Sequence, residues 1–183
     1  MADSVKAAAD FDNYWANRRV LITGGLGFLG QAIAKVATDK GATVLVTDTR
    51  CHPASKEYLD VTDTMSAVAG ILEANPQDII HLAGISHINQ AESSPFRAFD
   101  VNVAGTINVM RAASELKRHQ LYPPHVVIAS SNHVYGTHPM MSARPEESTL
   151  NQLDVYGASK HAADVIARSL GMASHIPTVA LRH

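Results

Sequence analysis

The stretch Arg18–Gly30, reading RRVLITGGLGFLG, constrains the fold of this chain more than any other. A short apolar run, Val20, Leu21 and Ile22, stops at a glycine cluster, and a helical pattern begins at once with Phe28, Leu29, Ala32, Ile33 and Val36. Such a stretch spells strand, tight turn and helix, the first half of a nucleotide-binding βαβ unit. Gly24 can take the backbone angles the turn requires, Gly27 has no Cβ to hold a pyrophosphate away, and Gly30 lets helix and strand pack closely. The N–H groups at the helix start, at Phe28 and Leu29, then face the phosphates, and the helix dipole favours their charge.

The second half of the unit follows. Ala42–Thr47 reads as a buried strand, and Asp48 closes it 18 residues after Gly30. A carboxylate there accepts both ribose hydroxyls of an adenosine and repels a 2′-phosphate, so the expected cofactor is NAD rather than NADP. Arg50, two residues on, keeps NADP as the less favoured option, because an arginine can pair with a 2′-phosphate.

The rest of the chain continues the alternation. Lys56–Val61 reads as a short strand running into a helix capped near Thr62 or Asp63, with Met65, Val68, Ala69 and Leu72 on its apolar face and Pro76 at its end. Ile79–Gly84 is the next buried strand. A long helix from Pro95 to His119 follows, with Phe99, Val103, Ile107, Met110 and Leu116 near helical spacing. His125–Ser131 is a strand that turns polar at its end, Asn132 to about Leu153 is a loop, Asp154–Ser174 is a helix and Pro177–Leu181 a sixth strand. The expected fold is α/β, a doubly wound parallel sheet of the Rossmann type, over residues 18–183. Residues 1–17 form an N-terminal extension, expected to be flexible apart from a short helix near Ala7–Trp15.

Bulk properties exclude several classes. Of 183 residues 17% are charged and 46% hydrophobic, with a net charge of −2, too small to point to nucleic-acid or membrane-surface binding. The ten histidines show no metal-ligand spacing, and His133 and His138 fall among loop signals, so no metal site is expected. No apolar run is long enough to span a bilayer, and the first 17 residues lack the apolar core of a signal peptide. The single cysteine, Cys51, precludes an internal disulfide and favours a cytoplasmic setting.

The candidate chemistry lies in the second half. Tyr156 and Lys160 are four residues apart and share one helix face. An ammonium beside a phenol stabilises the phenolate and makes it a usable general acid/base. Ser131, at the end of a strand, can hydrogen-bond the oxygen whose proton Tyr156 handles. Beside a nicotinamide, this constellation suits hydride transfer at a carbinol or carbonyl carbon.

These motifs in order resemble the extended short-chain dehydrogenase/reductases of the NAD-dependent epimerase/dehydratase group. The resemblance runs through Thr23–Gly30, Asp48, Asp60-Val61, His81–Gly84, Val101–Thr106, Ser130–Gly136 and Tyr156–Lys160, with a 25-residue step from Ser131 to Tyr156, and covers Arg18 to the end. It implies that Asp60 and Val61 contact adenine, that Ala83 and Gly84 pass close to the cofactor, that Asn102 supports the active-site helix, and that Lys160 also holds the nicotinamide ribose. Within the group, His81–Ser86 together with Ala129–His133 look most like uronate dehydrogenases, which oxidise a sugar acid at its anomeric carbon. This likeness would place Ser86, Asn132 and His133 beside Ser131 at the substrate. Two other readings stand beside it, a nucleotide-sugar epimerase or dehydratase and a non-catalytic dinucleotide-binding module. The resemblance also implies a homodimer through the helices near 95–119 and 154–174.

Extended members of the group run well past 300 residues, and this chain stops at Leu181-Arg182-His183, where the family's strand leads into a substrate lobe. The expectation is a form that keeps the cofactor half and the catalytic residues and lacks much of the substrate pocket.

Overall fold

The computed structural model describes residues 14–119, 122–136, 146, 148 and 154–182. Its centre is a five-stranded parallel sheet built from β1 (Arg19–Thr23), β2 (Thr43–Thr47), β3 (Asp78–His81), β4 (His125–Ala129) and β5 (Thr178–Leu181), in the order β2-β1-β3-β4-β5. β1 pairs with β2 on one side, Leu21 opposite Leu45, and with β3 on the other, Leu21 opposite Ile79. The chain therefore winds outward in both directions from the line between β1 and β3. In doubly wound sheets the ligand crevice opens beyond the strand ends at such a reversal.

The helices follow from apolar spacing and from end signals. α1 (Phe28–Asp39) packs Ile33, Ala34 and Ala37 onto Val20, Ile22, Val44 and Ile80 of one sheet face, where Trp15 joins them. The opposite face carries Leu21, Ile79, Val126 and Ile128 against three helices. These are α2 (Thr64–Ala74), α5 (Gly105–His119) and α6 (Val155–Ser174), contributing Ile71, Val109, Met110, Leu116 and Ala167. Full burial of each Leu or Ile in this layer contributes about 2 kcal/mol of transfer free energy. α2 begins where Asp63 accepts N–H bonds from Met65 and Ser66, and α6 begins where Asp154 accepts one from Gly157.

Between β3 and α5 the chain forms two short helices, α3 (Ile88–Ser93) and α4 (Pro95–Phe99), and then a π turn over Asp100–Ala104 that runs straight into α5. The long helix expected from Pro95 to His119 is thus present with a widened turn in its middle. That turn places Asn102 in the interior, 2% exposed. Gly105 follows it because a Cβ there would stand 2.6 Å from Val61 Cγ2.

The strand expected in Lys56–Val61 does not form. Ser55 N–H bonds back to His52, Tyr58 N–H to Ser55, and Ser55 Oγ to Glu57, closing a local turn. One backbone bond, Asp48 N–H to Glu57 O, ties this segment to the end of β2. The sheet therefore has five strands, with Pro177–Leu181 supplying the fifth. Residues 1–13, the centre of the loop that follows Gly136, and His138 lie outside the described residues. Tyr14 belongs to the folded body, its hydroxyl donating to Asp78 at 2.7 Å.

Candidate active site

The turn after β1 is shaped for close approach. Gly24 has φ +65°, and a Cβ there would stand 2.6 Å from the backbone of Ala83. Gly30 lies so near Gly25 that a Cβ would meet its Cα at 2.5 Å. α1 has no side-chain cap and no acidic residue in its first turn. Its first main-chain bond runs from Gln31 N–H to Gly27 O, so the N–H groups of Phe28, Leu29 and Gly30 are left for water or an anion. A pyrophosphate suits this cradle in size, charge and hydrogen bonding.

Asp48 lies just past β2, 7% exposed. Its carboxylate accepts Leu26 N–H at 3.3 Å and Arg50 N–H at 3.0 Å. The Arg50 guanidinium adds bonds at 3.0 and 2.8 Å. Chiefly through that arginine, the Asp48 carboxyl is held below its ordinary range. Because Arg50 is exposed, it can swing away and yield its place to ribose hydroxyls. Asp60 accepts Thr62 N–H and Oγ–H on one carboxylate oxygen. The Val61 side chain is in the core and its carbonyl accepts from Asn108, so that side chain is not available to a ligand.

A groove of about 170 Å³ joins the glycine turn to α6, and Gly24, Gly27, Gly84, Ser86, Tyr156 and Lys160 are among its walls. Lys160 is 7% exposed and donates from Nζ to Ala129 O at 2.8 Å. Burial pushes its ammonium down to about 8. Gly84 is needed here, since a Cβ would stand 2.9 Å from Asn102 Oδ1 and 3.3 Å from Lys160 Nζ. Tyr156 is 6% exposed, and the His133 ring meets it edge-on with centroids 5.5 Å apart. Ser131 Oγ accepts His133 N–H at 3.2 Å, which uses a lone pair and not the hydroxyl proton. A phenol and an ammonium on one helix face, beside a buried serine, can pass a proton to or from a substrate oxygen.

The fold thus gathers Gly24, Gly27, Phe28, Leu29, Gly30, Gly84, Ser86, Tyr156 and Lys160 around one groove. Asp48 lies beside the glycine turn through its bond from Leu26 N–H, while Ser131 and His133 lie at the head of β4. Asn132 is exposed in the same short helical turn, Asn132–Tyr135. Asn102 faces inward: Oδ1 accepts Ile85 N–H at 2.8 Å, and Nδ2 donates to Ile85 O and Ser159 Oγ. A larger cleft of about 490 Å³ lies where α2 meets β1 and β2, but none of Ser131, Tyr156 and Lys160 lines it. Thr23, His81, Thr106 and Ser159 support the groove from beneath, and sequence spacing alone did not single them out. Among the described residues no cluster of His, Cys, Asp and Glu could hold a metal ion. Among them, too, no helix is long and apolar enough to cross a membrane.

A parallel sheet that reverses between β1 and β3, with a glycine turn under an uncapped helix at that reversal, defines a Rossmann-type α/β protein. More narrowly, the chain belongs to the NAD dependent epimerase/dehydratase family, whose sequence profile matches residues 20–183. It is similar to dTDP-glucose 4,6-dehydratase of Mycolicibacterium smegmatis, 30% identical over 167 residues, which cover 82% of this chain and 48% of that protein. UDP-glucose 4-epimerase of Mycoplasma pneumoniae is 24% identical over 179 residues, 90% of this chain and 52% of that protein. Among solved structures, the UDP-glucose 4-epimerase of Brucella ovis in complex with NAD superposes with a TM-score of 0.77 at 26% identity. That match covers 91% of this chain and 51% of the other. The chain therefore spans about half the length of the relatives it matches.

Proposed function

We propose that this chain carries the cofactor-binding and acid–base half of an NAD-dependent oxidoreductase acting on a sugar or sugar acid. The observation that carries the reading is the single groove shared by the glycine turn and the Tyr156–Lys160 pair. The α1 amides and Gly27 would hold the pyrophosphate, Asp48 the adenosine ribose, and Lys160 the nicotinamide ribose. When bound, NAD⁺ supplies the carbon that accepts a hydride. Tyr156 takes the proton of the substrate hydroxyl as the carbinol becomes a carbonyl, and Ser131 hydrogen-bonds the same oxygen. The Lys160 ammonium stays charged throughout, and the Tyr156 phenol passes the proton to water to restore the phenolate.

Within that class the substrate reading is a uronate, with Ser86, Asn132 and His133 beside Ser131. A second reading has support in the relatives themselves, which are named as 4-epimerases and 4,6-dehydratases of nucleotide-linked sugars. In that case the same Tyr156 would act on a sugar hydroxyl at ring position 4. The deciding experiment titrates the chain calorimetrically with NAD⁺ and NADP⁺, then adds galacturonate, glucuronate or UDP-glucose while following reduced-cofactor absorbance and sugar products. NAD⁺ binding with net reduction by a uronate is the expected result. Tyr156→Phe should abolish that reduction and leave NAD⁺ affinity within about threefold. Binding without turnover in the parent chain would point to a dinucleotide-binding module instead. A homodimer through α5 and α6 belongs to the same proposal.

A further inference from the structure

Beneath the groove lies a buried histidine to which the proposed proton transfer assigns no role. His81 ends β3 and is 4% exposed, with a hydroxyl on either side of its ring. Thr23 Oγ1 stands 2.7 Å from Nδ1, and Thr106 Oγ1 stands 3.2 Å from Nε2. The neighbours fix which nitrogen carries the proton. Thr106 Oγ1 donates to Asn102 O at 2.6 Å, so toward His81 it can only accept, and Nε2 must carry the hydrogen. In a neutral ring with hydrogen on Nε2, Nδ1 is an acceptor, and Thr23 Oγ1, which accepts Ala83 N–H at 3.3 Å, keeps its own hydrogen to donate there. The opposite tautomer would leave Nε2 facing a hydroxyl whose hydrogen is committed to Asn102 O.

The chain of donors continues into α6. Thr106 fixes the carbonyl of Asn102 in the π turn, and the Asn102 amide is oriented by Ile85 N–H on Oδ1. Its Nδ2 donates to Ser159 Oγ at 2.9 Å, and Ser159 Oγ donates to Tyr156 O at 2.9 Å. Thr23, His81, Thr106, Asn102, Ser159 and Tyr156 are all at most 6% exposed, so water competes for none of these bonds. Burial, reinforced by the Lys160 ammonium, pulls His81 down to about 3. Burial thus favours the neutral ring, in which one nitrogen donates and the other accepts.

We propose that His81 is a positioning residue whose fixed Nε2–H tautomer couples the end of β1, where the glycine turn begins, to the backbone of Tyr156 through Thr106, Asn102 and Ser159. A ring is suited to this place because it presents one donor and one acceptor on opposite sides at fixed separation. The inference refines the proposed role of Tyr156 and rests on that reading for its effect on rate. The bond pattern itself does not depend on it.

The test uses the whole chain with ¹⁵N-labelled histidine and ¹³C-labelled tyrosine, comparing the parent with Thr106→Val, Thr106→Ser and Thr23→Val. In the parent, the His81 ring nitrogens should report one neutral form with hydrogen on Nε2, unchanged from about pH 5 to about pH 9. Thr106→Val should shift both the His81 and the Tyr156 signals, and Thr106→Ser, which keeps the hydroxyl, should restore both. Thr23→Val should disturb the His81 Nδ1 signal first. With a turning-over substrate, Thr106→Val should lower kcat about tenfold and change NAD⁺ affinity by less than about twofold. Mixed tautomers in the parent, or a Tyr156 signal indifferent to Thr106→Val in a folded chain, would overturn the proposal. Lack of turnover in the parent would count against the proposed function, while the spectra would still decide the coupling.

Discussion

Lys160 carries the clearest pH signature at the level of single residues. Its folded-state value of about 8 lies below the ordinary 10.5, so the unfolded chain binds that proton more tightly. Between about pH 8 and 10.5 the unfolded state therefore holds more protons than the folded one, and stability contributed by this group rises with pH across that window. Below pH 8 the contribution is flat. Denaturant midpoints measured across the window, parent against Lys160→Met, should lose this rising slope in the variant. Catalysis should run the other way, because the phenolate needs the ammonium, and cofactor reduction should fall as pH climbs through about 8. Asp48 supplies a second test. Arg50 places three hydrogen bonds on its carboxylate, and ribose hydroxyls must displace the guanidinium before they can donate there. Arg50→Ser should tighten NAD⁺ and weaken NADP⁺, each severalfold by calorimetry. An unchanged ratio would remove Arg50 from cofactor selection. Asp48 and Arg50 were legible in the sequence because both stand at a strand end whose geometry is local. The His81 linkage was not legible, since its bonds to Thr23 and Thr106 span 58 and 25 residues and depend on how β1, β3 and α5 come together.

Helix ends decide the geometry of the next level. Asp154 caps α6 by accepting Gly157 N–H at 2.6 Å, and the turn it fixes carries Tyr156. Gly157 allows this turn to sit against the 132–135 helical turn, since a Cβ there would meet His133 O at 2.8 Å. Asp154→Ala should cost about 1 kcal/mol of unfolding free energy, and Asp154→Asn, which keeps an acceptor oxygen, only a few tenths. If cap and catalysis are linked through this turn, kcat should fall in the alanine variant and recover in the asparagine one. The cap at Asp63 and the start of α6 near Asp154 could be read in advance because a helix start is a short-range signal followed by an apolar period. The Lys56–Val61 segment misled for a related reason: its composition suits a strand, but a strand needs a partner along its length. Ser55 and His52 offered the backbone a closed turn instead. The π turn at Asp100–Ala104 had no local signature either, since the contacts around it, Val61 against Gly105 and Ile85 on Asn102, come from segments distant in sequence.

At the scale of the whole molecule, two exposed apolar surfaces bear on the proposed dimer. Among the described residues β5 ends the sheet, and Val179 and Leu181, each 53% exposed, share the sheet face of Ile80 and α1, which packs over β1 and β2. The outer backbone of β5 is a template for edge pairing. The second surface lies on α6, where Val165 and Met172 are exposed seven residues apart on one face, beside half-buried Ala158, Ala162 and Ile166. The two surfaces give associations of different kinds. Helix pairing across a two-fold axis closes at two copies, whereas strand pairing at an edge leaves further growth open. The proposed dimer uses the helices, so Val165→Glu should convert a concentration-dependent dimer into a monomer by sedimentation equilibrium. Because Val165 faces solvent in the single chain, its folding free energy should change by less than about 0.5 kcal/mol. Val179→Lys should leave that dimer in place and lower only the slow formation of larger species. The reverse pattern, with Val179→Lys dissolving the dimer and Val165→Glu sparing it, would place the contact on the sheet edge and leave the helix faces solvated.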